Sequence, residues 1–135
     1  MSKVLVPLAE GFEELEAVTI IDLLRRAGIE VTVAGLQDGP VRGSRGTVIV
    51  PDDSLDMSMG GDYDMIVLPG GLPGADHLNE DPRIDSLLRQ LHANDRYTAA
   101  ICAAPKVLAS AGLLQGRTVT AYPGVLDNAD IDDMV

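Results

Sequence analysis

The sequence predicts a doubly wound α/β domain, on three observations. Short apolar runs of strand length alternate with segments of helical period along the chain. The run Asp62–Pro69 (DYDMIVLP) ends almost continuously apolar, as a central parallel strand does. Helical segments separate successive strand segments, and that order requires right-handed crossovers over a parallel sheet.

Taken in order, Lys3–Leu8 (KVLVPL) reads as the first strand. Glu13–Ala27 follows as a helix, with Ala17, Ile20, Ile21, Leu24 and Ala27 at helical spacing and Gly28 closing it. Ile29–Gly35 alternates like a strand. Val41–Val50 holds two short β segments around Gly43-Ser44-Arg45-Gly46, a hairpin-like excursion. Asp81 starts a helix with Pro82 at its first position, and Ile84, Leu87, Leu88 and Leu91 line its inner face. Tyr97–Ile101 is the next strand and Ala103–Gly112 the next helix, and Thr118–Thr120 opens a fifth strand of the sheet. The acidic segment Asp127–Val135 follows without a closing helix, so residues 1–135 are expected to form a single domain that is incomplete at its C-terminal side.

Composition narrows the function classes. The chain has 135 residues, 46% hydrophobic and 23% charged, in the range of a globular domain. Ten basic against twenty-one acidic residues give a net charge of -11, the wrong sign for nucleic acid or an anionic membrane. No apolar run is long enough for a membrane helix, and Met1-Ser2-Lys3 leads directly into a strand, so a cytoplasmic protein is expected. A single cysteine excludes an intrachain disulfide and a cysteine metal site.

In open parallel sheets, ligands bind beyond the carboxyl ends of the strands. That rule selects the segments after Leu8, Leu68, Ile101 and Thr120. Cys102 directly follows an apolar strand and opens a helix among Ala100, Ala103 and Ala104. Such a strand–turn–helix elbow exposes a side chain beside backbone N–H groups and a helix start, which should lower the thiol pKa and activate it. A buried structural cysteine is the competing reading. Gly70-Gly71 offers backbone N–H groups to an oxyanion, or merely a tight turn. Glu13 and Glu14 suit the start of a helix dipole. Glu16, three residues past Glu13, can instead face Cys102, and a carboxyl beside a thiol can carry a proton to or from it. His92 lies on a helix away from the strand ends. His77 is nearer, but nothing orients it as a base. Leu15, Val18 and Leu23 lie outside the core stripe of the first helix, with Arg26 nearby, and a second apolar face marks an interface between copies.

Four segments together resemble the DJ-1/ThiJ/PfpI superfamily, in its DJ-1/YajL branch. They are Ala9-Glu10-Gly11-Phe12-Glu13-Glu14-Leu15-Glu16-Ala17, Ile21-Asp22-Leu23-Leu24-Arg25-Arg26-Ala27-Gly28-Ile29, Val67-Leu68-Pro69-Gly70-Gly71 and Ala99-Ala100-Ile101-Cys102-Ala103-Ala104-Pro105. Their order and spacing fit over essentially the whole chain. The resemblance implies a flavodoxin-like fold and a homodimer acting without a cofactor or metal. It makes Cys102 the elbow nucleophile and oxidation-sensitive thiol, Glu16 the carboxyl that hydrogen-bonds it, and Gly71 and Ala103 the backbone donors of an oxyanion pocket. Gly70, Arg45 and Tyr122 would line the site, and Leu15, Val18 and Arg26 the dimer interface. The implied activity is glyoxalase or deglycase chemistry on methylglyoxal, glyoxal or their early adducts. The alternative is an oxidative-stress sensor or redox-activated chaperone that binds unfolded clients through the oxidised thiol. Two departures bear on mechanism. Relatives with a Cys–His pair carry His where this chain has Ala103, and Tyr122-Pro123 stands where several relatives have His-Pro. The family also continues with a further strand, a loop near the cysteine and a long helix.

Overall fold

A computed structural model describes residues 1–127, residue 129 and the backbone of residues 133–134. The main sheet has five parallel strands in the order β5-β2-β1-β6-β7. These are β1 (Lys3–Leu8), β2 (Glu30–Gly35), β5 (Asp53–Ser54), β6 (Met65–Leu68) and β7 (Tyr97–Ala100). β1 is central and pairs along its full length with β2, from Lys3 opposite Glu30 to Leu8 opposite Gly35. Its residues from Val4 to Leu8 are all buried, because helices cover both faces.

The two faces are packed by different elements. Val4, Val6 and Leu8 point toward helix α1 (Glu14–Arg26), meeting Phe12, Ala17, Ile21, Val31 and Val33. Leu5, Ile66 and Leu68 point the other way, toward α3 (Gly74–Glu80), α4 (Pro82–Ala93) and α5 (Pro105–Ser110). The period of two in the strands thus divides one chain segment between two cores. α4 begins as its sequence requires: the Asp81 side chain accepts the Arg83 N–H, and Pro82 occupies the first turn.

The expected hairpin-like excursion is an antiparallel pair, β3 (Val41–Arg42) with β4 (Val48–Ile49), separate from the main sheet. Other elements depart from the sequence reading. β5 and the single-turn helix α2 (Leu55–Ser58) follow that pair, too short to leave a periodic signal; Ser54 caps α2 by accepting the Met57 N–H. α3 is also new: it starts behind Pro73 without a side-chain cap and buries only Gly74, Ala75 and Leu78, too few apolar positions to show a stripe. The expected fifth strand of the sheet is corrected. β8 (Thr118–Val119) pairs with β9 (Asp133–Met134) in a two-stranded sheet of its own, so among the described residues the main sheet ends at β7. Of the acidic stretch Asp127–Val135, residues 128, 130–132 and 135 lie outside the described residues.

The strand order places a topological switch between β1 and β6. From β1 the chain moves out to β2 on one side, then crosses to β6 on the other. The loops leaving β1 (residues 9–13) and β6 (residues 69–73) diverge there, and the carboxyl end of β7 lies beside them.

Candidate active site

β7 ends at Ala100, and two residues later Cys102 adopts a φ of 61°, in the left-handed region. A non-glycine residue there costs on the order of 1–2 kcal/mol and persists only where its surroundings enforce it. Backbone hydrogen bonds on either side enforce it here. The Ile101 N–H donates to Leu68 O at 3.2 Å, the Ala104 N–H to Ile101 O at 3.0 Å, and the Tyr122 N–H to Cys102 O at 2.8 Å. The result is a sharp strand–turn–helix elbow with the thiol partly exposed at its tip.

Glu16 reaches this elbow from the first turn of α1. Its Oε1 accepts the Gly70 N–H at 3.0 Å, and its carboxylate also hydrogen-bonds the Cys102 thiol. Gly70 makes this meeting possible. A Cβ at that position would lie 2.6 Å from Glu16 Oε1 and 2.8 Å from Cys102 Cβ, closer than real side chains approach. Gly71, at φ +94°, needs glycine's freedom outright. Its N–H donates to no partner among the described residues. The Ala103 N–H turns to the Cys102 sulfur. The Ala103 backbone thus donates toward the thiol.

The expected lowering of the thiol pKa is corrected. Burial pushes the Cys102 thiol up, and the negative charge and hydrogen bond of Glu16 push it further; the Ala103 N–H opposes them without prevailing. The helix start also stands further away than the sequence reading put it. α5 begins at Pro105 rather than Ala103 and spans only six residues, so little dipole acts on the sulfur. Burial and Glu16 together thus favour the protonated thiol.

The remaining expected residues divide. The Tyr122 backbone holds the elbow, while its side chain is 62% exposed. Arg45 lies on the tip of the β3–β4 hairpin, exposed, with its backbone N–H rather than its side chain engaged. His77 lines a separate cavity of about 410 Å³ at the carboxyl ends of β1 and β2, with Glu10, Asp38 and Glu80. His92 borders a groove beside β7. On α1, Leu15 is 74% and Val18 48% exposed, and Arg26 pairs with Asp22 one turn back. Among the described residues, no group of three His, Cys, Asp or Glu side chains could hold a metal ion, and no helix is long and apolar enough to cross a membrane.

One contributor escaped the sequence reading. Glu14 is more than a dipole carboxylate: it accepts the N–H groups of Arg45 and Thr47 at 2.9 and 3.0 Å and the Ser44 hydroxyl at 3.2 Å. A Cβ on Gly43 would come within 2.5 Å of its Cδ. Glu14 thereby docks the hairpin tip, Arg45 included, onto the start of α1. The Gly-Ser-Arg-Gly tip was the available signal, since turns rich in glycine present converging backbone donors.

An open parallel sheet with a strained cysteine elbow facing a carboxylate at its switch point defines a class of α/β proteins. The chain belongs to the DJ-1/PfpI family, whose model matches residues 2–133. It is 47% identical over 127 residues to the Parkinson disease protein 7 homolog of Danio rerio, covering 93% of this chain and 67% of that protein. A deglycase of Pyrococcus horikoshii is 35% identical over 127 residues, covering 93% of this chain and 75% of the relative. The structure described as oxidized DJ-1 of Toxoplasma gondii superposes with a TM-score of 0.89 at 45% identity, covering 94% of this chain and 70% of that one. The flavodoxin-like fold expected from the resemblance is the fold observed.

Proposed function

We propose that the protein is a cofactor-independent glyoxalase- or deglycase-type enzyme, acting in the cytoplasm as a homodimer on small 2-oxoaldehydes or their early adducts. The hydrogen-bonded pair of Cys102 and Glu16, met across Gly70, carries this reading. The similarity to a protein named as a deglycase supports it.

With methylglyoxal the proposed steps are these. Glu16 takes the thiol proton as the Cys102 sulfur adds to the aldehyde carbon, and the developing oxyanion, facing the Gly71 and Ala103 N–H groups, takes that proton from Glu16, giving a neutral hemithioacetal and a free carboxylate. Glu16 then removes the hydrogen from the former aldehyde carbon, and a proton returns to the neighbouring carbon through an enediol. The sulfur-bearing carbon is now a thioester carbonyl. Water hydrolyses it, releasing lactate and restoring the thiol. The sum is methylglyoxal plus water to lactate, with no outside oxidant or reductant. A hemiaminal adduct of methylglyoxal enters the same sequence when the Cys102 sulfur displaces its amine, which leaves with the thiol proton passed on by Glu16.

The exposed apolar residues Leu15 and Val18 support the homodimer, since they form a second apolar face on α1. Lactate formation by wild type and Cys102→Ser, side by side, tests the enzyme. Turnover by wild type that is absent in Cys102→Ser is expected, and equal yields from both would refute the assignment.

A second reading, a redox sensor or chaperone acting through oxidised Cys102, is favoured by the similarity to a structure described as oxidized. Suppression of client aggregation that depends on peroxide, without aldehyde turnover, would select it.

A further inference from the structure

We infer that Asp76 and Lys106 are a positioning pair: their ion pair ties α3 to α5 and so holds the Gly70-Gly71 loop against the Cys102 elbow. The part this plays in turnover rests on the proposed aldehyde chemistry; the spacing of loop and elbow does not. Asp76 stands in the first turn of α3, the helix that follows the Gly-Gly loop. Lys106 is the second residue of α5, the helix that follows Cys102. Among the described residues, theirs is the one side-chain hydrogen bond between segments 69–80 and 101–110.

Local helix chemistry does not account for Lys106. A cation in the first turn faces the positive end of the helix dipole and is mildly unfavourable there. Neither α3 nor α5 has a side-chain cap, and at seven and six residues neither stands without tertiary support. They pack on each other through Ala75, Leu78, Ala104, Val107 and Leu108, all buried in one core cluster. Ala75 and Ala104 are fully buried and let the helices approach closely, but a methyl group does little to stop one sliding along the other. A charge-assisted hydrogen bond is directional and supplies that stop. The side chains of Lys106 and Asp76 are 24% and 48% exposed, so water screens the pair only in part.

Backbone contacts carry the position of each helix to the thiol. On one side, the Ala75 N–H, next to Asp76, donates to Gly71 O at 2.9 Å. Gly70 donates its N–H to Glu16 Oε1 at 3.0 Å, and a Cβ on it would lie 2.8 Å from Cys102 Cβ. On the other side, the Ala104 N–H donates to Ile101 O at 3.0 Å, within the turn that leads into α5. Moving α3 away from α5 therefore moves Gly70, and Glu16 with it, away from Cys102. The loop Pro69-Gly70-Gly71-Leu72-Pro73-Gly74 carries no charge of its own. Glu16 and, more weakly, Glu13 are the charged groups that disfavour the thiolate, so separation should make the thiol easier to ionise.

The experiment measures the rate of Cys102 alkylation by iodoacetamide against pH in wild type, Asp76→Asn, Lys106→Met, the double variant and the charge swap Asp76→Lys/Lys106→Asp. Lys106→Met keeps an unbranched stem and is the deciding variant. Loss of a cation four residues from the thiol, acting through charge alone, would raise the midpoint and slow alkylation at neutral pH. Loss of positioning should lower the midpoint and speed alkylation, on the order of 2- to 30-fold, the range for residues that tune coupling without touching either group. Asp76→Asn should accelerate it similarly, the double variant should add little more, and the charge swap should return the rate toward wild type. Slower or unchanged alkylation in Lys106→Met would overturn the pair, as would accelerations that multiply in the double variant. With methylglyoxal, kcat should fall in Lys106→Met while KM stays near wild type. Accelerated alkylation in Lys106→Met, with no lactate released by wild type, would uphold the pair and refute the proposed enzyme.

Discussion

Glu16 and Cys102 meet over a position that must lack a side chain: a Cβ on Gly70 would lie 2.6 Å from Glu16 Oε1 and 2.8 Å from Cys102 Cβ. The Gly70 N–H holds Glu16 at 3.0 Å in the same place. Gly70→Ala should therefore part the two groups. Its backbone needs no left-handed conformation, so the damage comes from contact, costing about 1–3 kcal/mol as overpacking does. Melting temperature should fall modestly while aldehyde turnover falls steeply. A variant that keeps full turnover would show that the pair tolerates separation.

The Cys102 thiol should titrate above the ordinary thiol range, because burial and Glu16 both disfavour the thiolate. The rate of alkylation should keep rising with pH into that range. Glu16→Gln removes the carboxylate's contribution and should move the midpoint down, leaving the burial effect. A raised folded value also sets the sign for stability: this contribution is present below the unfolded thiol's pKa and is lost as pH rises through the folded one. A midpoint below the ordinary range in wild type would contradict this account.

Glu14 behaves oppositely. Burial works to raise its pKa, but hydrogen bonds from Thr47, Arg45 and Ser44 outweigh it and hold the carboxyl below the ordinary range. Its contribution is present above the unfolded carboxylate's pKa and is lost as pH falls through the folded value. The hairpin tip should undock on acidification, seen as loss of amide exchange protection at Arg45 and Thr47 while β1 and β2 stay protected. In Glu14→Ala that loss should already be present at neutral pH. Equal protection in wild type and variant would remove Glu14 from this role.

Asp81 combines two tasks, capping α4 and pairing with Arg83 at 2.6 Å, where the side chains are 13% and 28% exposed. Arg83 also reaches Leu36 O and Asp56. Asp81→Ala removes the cap and leaves a half-buried guanidinium with fewer partners, at a cost of about 2 kcal/mol. Urea denaturation should show a lower midpoint with unchanged slope. A change within a few tenths of a kcal/mol would mean that Asp56 and Leu36 suffice.

On the outer face of α1, Leu15→Glu places a charge on a residue that is 74% exposed in the single chain. Monomer stability should change little, since so little burial is lost. Mass in solution should drop from dimer to monomer. A dimer that survives Leu15→Glu and Val18→Glu would place the interface elsewhere.

The elbow was legible because Cys102 closes an apolar strand among small residues, a pattern that forces a sharp turn. Glu16 was legible from its offset to Glu13, and the sheet from alternation of periods. The sign of the thiol shift was not, because it depends on where α5 begins and on how closely Glu16 approaches, and both are tertiary facts. The docking role of Glu14, beyond its place at the helix start, was not legible for a related reason: its partners lie about thirty residues away in sequence, on a hairpin whose docking no local pattern encodes. β8 looked like a sheet strand because strand propensity does not name a partner.

The central claim is that Glu16 moves the protons for chemistry at Cys102. Steady-state lactate release by Glu16→Gln, with intact mass measured during turnover of methylglyoxal, tests it most directly. Turnover should fall on the order of 10²–10⁴-fold, as for a lost acid–base group, while thermal stability stays near wild type and Cys102 still takes up the aldehyde. Normal lactate release by Glu16→Gln would contradict the account and leave Glu16 a structural carboxylate.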